Sequence, residues 1–249
     1  MTQVRAEVRP VFLLWDVDHT LIENGGVSKE NYQKAFEMLT GRRPEHPVET
    51  DGRTDPEIIR NMLASHGIAA EDKYLSRVSG ALESAMSANM GRLRERGWEL
   101  PGARAVLSAL GQMPEVVQSV LSGNIRANAF AKLSAFGLDS YLDFEVGGYG
   151  SDDNVRSNLL GVARERALAK YGIAFDQSTT VLVGDTTRDV RAGRDGGAYV
   201  VAVASGVDSV DQLRAEGADV VFPDLCDTGA VVEVVKRLQE GRPQGAPLS

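Results

Sequence analysis

Two aspartates follow directly on an apolar run near the start of the chain. Asp16 and Asp18 come after Val11–Trp15, and Thr20 lies two residues further on. Five consecutive apolar residues predict a strand buried on both faces, and ligands of open parallel sheets bind beyond the carboxyl ends of the strands. Two carboxylates at such an end can divide the chemistry: one binds a metal and attacks, and the other transfers a proton.

A second predicted strand, residues 116–121, ends in Ser122, Gly123 and Asn124. A hydroxyl and adjacent backbone N–H groups at this position can bind a phosphate oxygen. The alternative is a turn serine that caps the helix after it.

A third predicted strand, residues 180–184, ends in Asp185, with Asp189 four residues later. Two carboxylates at this spacing can face one ion, and Mg²⁺ binds one or two carboxylates together with water and substrate phosphate. Asp185 alone can also be read as a helix cap, but that reading does not explain the pair. We expect Asp16 and Asp185 to meet above neighbouring strands.

The rest of the chain alternates strand and helix after residue 98, which predicts a doubly wound parallel sheet with right-handed crossovers. Residues 28–96 contain no strand pattern, so we expect an all-helical insertion. The predicted domains are an α/β core of residues 1–21 and 98–249, and a helical domain of residues 22–97. Further strands are predicted around 144–147, 199–203 and 220–222, and helices at 28–40, 56–66, 71–96, 103–110, 127–136, 155–171 and 189–196.

The composition of the 249 residues is that of an ordinary globular protein, with 43% hydrophobic and 25% charged residues. A net charge of −8 argues against non-specific binding to nucleic acid or to an anionic membrane. The single cysteine, Cys226, excludes an internal disulfide. Because residues 1–10 lack the apolar stretch of a signal peptide and no run is long enough to span a membrane, we expect a cytoplasmic protein.

The order and spacing of these motifs resemble those of the haloacid dehalogenase-like (HAD) hydrolases. Asp16-Val17-Asp18-His19-Thr20 is similar to their first motif, Ser122 to the second, and residues 184–189 to the fourth. The resemblance implies a Rossmann-like doubly wound parallel sheet, the HAD core, with an inserted helical cap of the C1 type.

The third motif of that family is a basic residue before the fourth motif, and two residues qualify. Arg156 has the better position, and Lys170 is the other candidate. Many relatives have Lys-Pro where this chain has Arg156-Ser157, although arginine still supplies a permanent charge and a planar donor fork. A second departure is His19, since relatives usually have glycine there.

The resemblance implies a Mg²⁺-dependent phosphatase that forms an aspartyl-phosphate on Asp16. Asp18 would protonate the leaving alkoxide and then deprotonate the attacking water, a role that favours phosphoryl transfer because a halide leaves without a proton. The implied metal ligands are Asp16, the main-chain carbonyl of Asp18, and Asp185, supported by Asp189. The implied phosphate-binding groups are those of Ser122, Gly123, Asn124 and Arg156.

The substrate is expected to be a small phosphate ester similar to phosphoglycolate or a sugar phosphate. Arg53 and Thr54, in the loop before a cap helix, and His19 are candidates for substrate selection; a solvated loop arginine and a tolerated substitution are the respective alternatives. A β-phosphoglucomutase-like phosphomutase and a silent HAD-fold binding protein are the alternative functions, although the intact Asp16, Asp18 and Asp185 argue against a silent site. Whether the protein is a monomer or a homodimer is left open.

Overall fold

A six-stranded parallel sheet lies at the centre of the computed structural model, which describes residues 8–50 and 52–241. The strand order in this described part is β5-β4-β1-β6-β7-β8, and each neighbouring pair is parallel. A separate antiparallel pair joins β2 to β3. Numbered in chain order, the strands are β1 Val11–Trp15, β2 Ile22–Glu23, β3 Trp98–Glu99, β4 Val116–Ser122, β5 Gly148–Tyr149, β6 Thr180–Gly184, β7 Tyr199–Val203 and β8 Val220–Phe222.

Strand β1 is buried on both faces, as its five apolar residues predict. Val11, Leu13 and Trp15 pack into one hydrophobic cluster, and Phe12 and Leu14 pack into another on the opposite side. Side chains of a strand alternate between its two faces, so each face of the sheet must be covered by helices. This central position places the residue that follows β1 between the ends of β4 and β6.

Two groups of helices surround this sheet. The inserted group packs around its own apolar cluster, which includes Phe36, Ile59, Leu63 and Leu82. Within the described residues no helix is long and apolar enough to cross a membrane. The inserted helices are α1 Val27–Thr40, α2 Asp55–Ser65, α3 Asp72–Leu75 and α4 Val78–Arg96. The helices beside the sheet are α5 Ala103–Gly111, α6 Arg126–Ser134, α7 Asn158–Tyr171, α8 Thr187–Asp195, α9 Val210–Glu216 and α10 Thr228–Gln239.

The predicted fold class is therefore confirmed: a doubly wound parallel sheet carries an inserted helical cap. The antiparallel pair β2–β3 joins the two ends of the insertion, because Ile22 at its start lies opposite Glu99 just after its end. We retain the division into a core (residues 1–21 and 98–249) and a cap (22–97) as a proposal. Residues 1–7, Asp51 and residues 242–249 of this division lie outside the described residues.

Three predicted elements differ from the structure by more than the one or two residues seen at the ends of the others. The helix predicted over 71–96 is two helices, because the Arg77 amide donates to the Tyr74 carbonyl (2.9 Å) in a tight turn that ends α3. The strand predicted around 144–147 lies instead at Gly148–Tyr149. Helix α7 begins at Asn158, since the Asp153 side chain accepts the Val155 amide proton (2.7 Å) and holds a turn before it.

The loop before α2 packs directly on the core, backbone against backbone. The Asp55 amide donates to the Gly123 carbonyl (2.7 Å) at the end of β4. Gly150 lies beneath this contact: a Cβ there would overlap the Gly123 carbonyl and approach the Thr54 Cβ to 2.9 Å. Only a residue without a side chain at position 150 allows the cap loop to approach β4 this closely.

We expect Gly150→Ala to lower the free energy of unfolding by about 1–3 kcal/mol, because the new methyl group overpacks this contact. Gly161→Ala is the matched control: it lies within α7, nothing would contact its new Cβ within 4 Å, and it should stabilise the protein by about 0.5–1 kcal/mol. Urea unfolding of both variants measures the difference. Equal stability of Gly150→Ala and wild type would contradict the close packing.

Candidate active site

The carboxyl ends of three adjacent strands bring the predicted site residues together. Asp16 follows β1, Ser122 ends β4 and Asp185 follows β6, and because β1 lies between β4 and β6 the three side chains are neighbours. All three are buried, with 8%, 1% and 1% of their surface exposed. They line a cavity of about 60 Å³ between the sheet and the inserted helices.

Three buried carboxylates form an acidic cluster in this site. Asp16, Asp185 and Asp189 each place one carboxylate oxygen within 4.8 Å of the others. The Thr20 hydroxyl donates to Asp185 Oδ1 (3.0 Å), whereas Asp185 Oδ2 is buried without a hydrogen-bond partner. A donor set made only of oxygens, with one oxygen left unpaired, fits a hard divalent cation such as Mg²⁺.

Arg156 is the cation that contacts this cluster. Its Nη2 lies 2.9 Å from Asp16 Oδ1 and 2.5 Å from Asp189 Oδ1. Asp189 is held in turn by Thr186, whose amide and hydroxyl donate to Asp189 Oδ2 at 3.0 and 2.6 Å in a helix-capping box. Lys170, the other candidate for the basic residue, lies outside the site, where it pairs with Asp143 (2.7 Å) and Glu145.

Burial and mutual repulsion change the proton affinity of the cluster. Burial raises the pKa of Asp16 to about 6, with the charges of Asp189 and Asp18 adding to the rise and Arg156 opposing it. Burial, with the charges of Asp189 and Asp16, also raises the pKa of Asp185 well above its usual range. Both shifts describe carboxylates that lack enough nearby positive charge, and a divalent cation would supply it.

Asp18 has a different environment, because a lysine that the sequence analysis missed pairs with it. Lys132 Nζ donates to Asp18 Oδ2 (2.6 Å) and to Asn124 Oδ1 (2.7 Å), and the Lys132 side chain is only 2% exposed. Burial by itself would raise the pKa of Asp18. The charge of Lys132 and the hydrogen bond from Asn124 outweigh burial and hold this pKa at about 2.

The position of Lys132 on α6 was a signal in the sequence. The helix buries Asn128, Ala129, Lys132 and Leu133, so a lysine lies on the side that faces the protein interior. A charged residue is rarely buried without a partner. Placing the predicted 127–136 helix on a helical wheel would have indicated a buried ion pair, but not its partner.

The predicted phosphate-binding loop has specific internal contacts. The side-chain Nδ2 of Asn124 donates to Ser122 Oγ and to Asp18 Oδ2, both at 2.8 Å. The backbone N–H of Asn124 also donates to Ser122 Oγ (3.3 Å). The Asn124 side chain therefore aligns Ser122 and Asp18. Contact of Ser122, Gly123 and Asn124 with a phosphate stays a prediction.

The three residues predicted to select substrate lie in different places. Arg53 lines the cavity, with its guanidinium paired to Glu49 (2.9 Å) and Glu57 (3.5 Å). Thr54 does not line it: its buried hydroxyl accepts the Glu57 amide proton (3.4 Å) and caps α2.

His19 lines the cavity with a backbone conformation that explains why relatives have glycine at this position. Its φ is +60°, in the left-handed region that side chains disfavour. Its ring Nδ1 lies 2.8 Å from Glu23 Oε2. His19 thus adopts a backbone conformation that side chains disfavour, and both interpretations, a tolerated substitution and a contact with substrate, stay predictions.

Asp55 links the cap to the core beside the site. Its Oδ1 accepts from the Tyr32 hydroxyl (2.6 Å) and its Oδ2 from the Ile125 amide (2.8 Å). Burial raises the pKa of Asp55 to about 6, although Lys132 and these hydrogen bonds oppose the rise.

Comparisons with known proteins agree with this geometry. The family model for haloacid dehalogenase-like hydrolases matches residues 13–194, and one described as HAD-hydrolase-like matches residues 161–228. Pyrophosphatase PpaX of Halalkalibacterium halodurans is 26% identical over 231 residues, which cover 86% of this chain and 94% of that protein.

Two solved structures share the fold. A hydrolase from Pseudomonas syringae superimposes with a TM-score of 0.67 at 19% identity, over 91% of this chain and 99% of its own. A protein from Haemophilus somnus, described as a predicted phosphoglycolate phosphatase, has a TM-score of 0.64 at 14% identity, over 90% and 98% of the two chains.

The pKa of Asp55 leads to a pH-dependent prediction. Its usual value is 3.8, so as pH rises towards 6 the unfolded chain loses this proton before the folded protein does, and stability falls. An asparagine in its place cannot ionise. We therefore expect Asp55→Asn to gain at most about 3 kcal/mol relative to wild type between about pH 4 and about pH 7, at about 1.4 kcal/mol per pKa unit.

Urea unfolding at the two pH values measures this gain. Asp211→Asn is the control, because that side chain is 96% exposed on α9 and should change the unfolding free energy little at either pH. If the difference in stability between Asp55→Asn and wild type did not change with pH, the raised pKa of the buried Asp55 carboxyl would be contradicted.

Proposed function

The chain belongs to the haloacid dehalogenase-like hydrolases, and we propose that it is a Mg²⁺-dependent phosphatase that hydrolyses a small phosphate monoester through an aspartyl-phosphate. The family predicted from the motifs is thereby confirmed. Membership, together with phosphatase-named relatives, supports the enzyme class of phosphoric monoester hydrolase. One observation carries the proposal: Asp16 is buried between the Arg156 guanidinium and the carboxylates of Asp185 and Asp189.

Asp16 is the nucleophile in this proposal. Its carboxylate oxygen forms a bond to phosphorus while the bond from phosphorus to the ester oxygen breaks, and the electron pair of that bond goes to the leaving alkoxide. Arg156, 2.9 Å from Asp16, orients this carboxylate and can donate to the phosphoryl oxygens as charge redistributes. The Ser122 hydroxyl and the Gly123 amide are the candidates for further donors.

Asp18 transfers the protons. The leaving alkoxide takes a proton from Asp18, and in the second step Asp18 takes one from the water that attacks the aspartyl-phosphate. Because its pKa is held at about 2, Asp18 is ionised at neutral pH and has an oxygen that can accept this proton. So low a pKa makes it a weak base, however, and its orientation must contribute to the second role. A phosphate dianion bound beside Asp18 raises its affinity for a proton and thereby supports the first.

A divalent metal fits the acidic cluster. Asp16 and Asp185, with the main-chain carbonyl of Asp18, would hold it, and Asp189 would support them. When bound, Mg²⁺ neutralises phosphate charge and lets anionic groups come close. The unpaired Asp185 Oδ2 is the observation that supports this ligand set.

The substrate proposal follows from the size and lining of the cavity. The cavity is small, about 60 Å³, and Arg53, His19 and Ser28 line it together with the acidic residues. We therefore propose phosphoglycolate or a small sugar phosphate as substrate, in the cytoplasm. Inorganic pyrophosphate is a second candidate, favoured by the likeness to pyrophosphatase PpaX over most of both chains.

We expect wild type with Mg²⁺ to release inorganic phosphate from at least one of phosphoglycolate, small sugar phosphates and pyrophosphate. EDTA should abolish release because the acidic cluster would lose its countercharge, and Asp16→Asn should abolish it because the amide cannot attack phosphorus. Colorimetric phosphate assays over this panel make the measurement.

The pattern of products separates the alternatives. Preference for pyrophosphate would favour the second candidate, and conversion of a sugar phosphate to its isomer without phosphate release would show a phosphomutase. No turnover of any compound, with or without Mg²⁺, would contradict the proposal and favour a silent binding protein.

We expect Arg156→Met to lower kcat by roughly 10²–10³-fold, because the nucleophile and the transferring group lose a buried positive charge. Lys170→Met is the matched control, since Lys170 is a partly exposed cation on α7 that pairs with Asp143 and Glu145 outside the site. Steady-state kinetics on the best substrate decides. A larger loss for Lys170→Met would reverse our choice of Arg156 as the basic residue.

A further inference from the structure

We propose that Lys132 is a positioning residue that holds the Asp18 carboxylate in place to take a proton from the attacking water. This inference rests on the proposed phosphatase function and deepens it. It starts from the ion pair between Lys132 Nζ and Asp18 Oδ2, at 2.6 Å.

Lys132 occupies a position where packing alone does not favour a lysine. It lies on the buried side of α6, beside Ala129 and Leu133, which pack into the main hydrophobic cluster. Burying an ammonium is unfavourable unless its charge is paired, and well-packed apolar residues often stabilise as much as a buried ion pair does. The contacts of Lys132 are with the site: Asp18 after β1, and Asn124 after β4.

The four hydrogen bonds to Asp18 divide between its two oxygens. Oδ2 accepts from Lys132 (2.6 Å) and Asn124 (2.8 Å), both in the core. Oδ1 accepts from Asn24 (2.8 Å) and from Ser28 (3.4 Å), which both line the cavity. Lys132 and Asn124 of the core thus hold one oxygen, and the other is held by residues of the inserted segment. Asn124 lines the cavity as Asn24 and Ser28 do, so Lys132 is the donor that approaches Asp18 from outside the cavity lining.

Lys132 and Arg156 pair with different carboxylates. Arg156 contacts Asp16 and Asp189, and Lys132 contacts Asp18. An apolar residue in place of Lys132 could fill the same volume. Asp18 Oδ2 would then keep one donor from the core, the side-chain Nδ2 of Asn124. The carboxylate would then rotate away from its productive orientation.

The step that depends on this orientation is hydrolysis of the phosphoenzyme. Asp18 Oδ1 takes a proton from water, the water oxygen forms a bond to phosphorus, and the bond between phosphorus and Asp16 breaks. The electron pair of that bond returns to the Asp16 carboxylate, and inorganic phosphate leaves. Lys132 touches none of the reacting atoms, so its effect passes through Asp18.

Acetyl phosphate isolates this step, because acetate leaves without a proton and formation of the phosphoenzyme does not need Asp18. We expect Lys132→Met to lower kcat for acetyl phosphate by roughly tenfold or more, while kcat/KM stays near the wild-type value. Labelled phosphate should then accumulate on the acid-quenched protein and be released by hydroxylamine. Lys132→Gln, which keeps a donor without the charge, is the second variant should Lys132→Met fail to fold.

Leu133→Ala is the matched control, since it weakens the same helix in the hydrophobic cluster without touching Asp18. It should change kcat and kcat/KM in equal proportion and accumulate no phosphoenzyme. If the Lys132 variants also changed kcat and kcat/KM in equal proportion without accumulating phosphoenzyme, or did not change them at all, the positioning role would be wrong. The proposed phosphatase function would not be affected by that result. Absence of both phosphate release and labelling in wild type, with acetyl phosphate and with the ester panel, would instead contradict the proposed function.

Discussion

Repulsion among buried carboxylates is the constraint on which this site depends. Asp16, Asp185 and Asp189 meet where water is largely excluded, with the partly buried Asp18 beside them, and like charges interact strongly in such surroundings. The positive charges are distributed unequally: Lys132 pairs with Asp18, whereas Arg156 pairs with Asp16 and Asp189 but not with Asp185. Burial and the neighbouring carboxylates raise the pKa of Asp16 and of Asp185, whereas Lys132 and Asn124 outweigh burial and lower the pKa of Asp18. This imbalance supports the proposal that a cation binds among Asp16, Asp185 and Asp189 and that Asp18 transfers protons.

The sheet determines which residues can meet at this point. Because β1 lies between β4 and β6, the residues that follow it have neighbours on both sides. On one side is the loop that begins at Ser122, and on the other is the loop that begins at Asp185. The inserted helices close the site from above through Asp55, which accepts from Tyr32 in the cap and from Ile125 in the core. Because Ile125 precedes α6, the same short segment that receives the cap also leads into the helix that carries Lys132.

Local patterns were sufficient to predict the sheet, the insertion and the acidic residues, because apolar runs and the residues that end them are adjacent in sequence. The break between α3 and α4 was missed, since both helices keep apolar residues at helical spacing and only a backbone turn separates them. Lys132 was missed for a different reason: its partner Asp18 lies 114 residues away. Position in the sequence already favoured Arg156 over Lys170, and the distances agree with that preference, since Arg156 contacts Asp16 whereas Lys170 contacts Asp143. Thr54 was predicted to face substrate, yet its hydroxyl caps a helix, a role that depends on where α2 begins.

The short ladder between β2 and β3 has a consequence for how such proteins diversify. It places Ile22 beside Glu99, so the polypeptide leaves the core and returns to it at nearly the same point in space. A segment with adjoining ends can be lengthened, shortened or exchanged without altering the register of the strands that carry the aspartates. The length of the inserted segment can therefore change while the strands stay in place, provided that the segment still supplies the groups that contact Asp18.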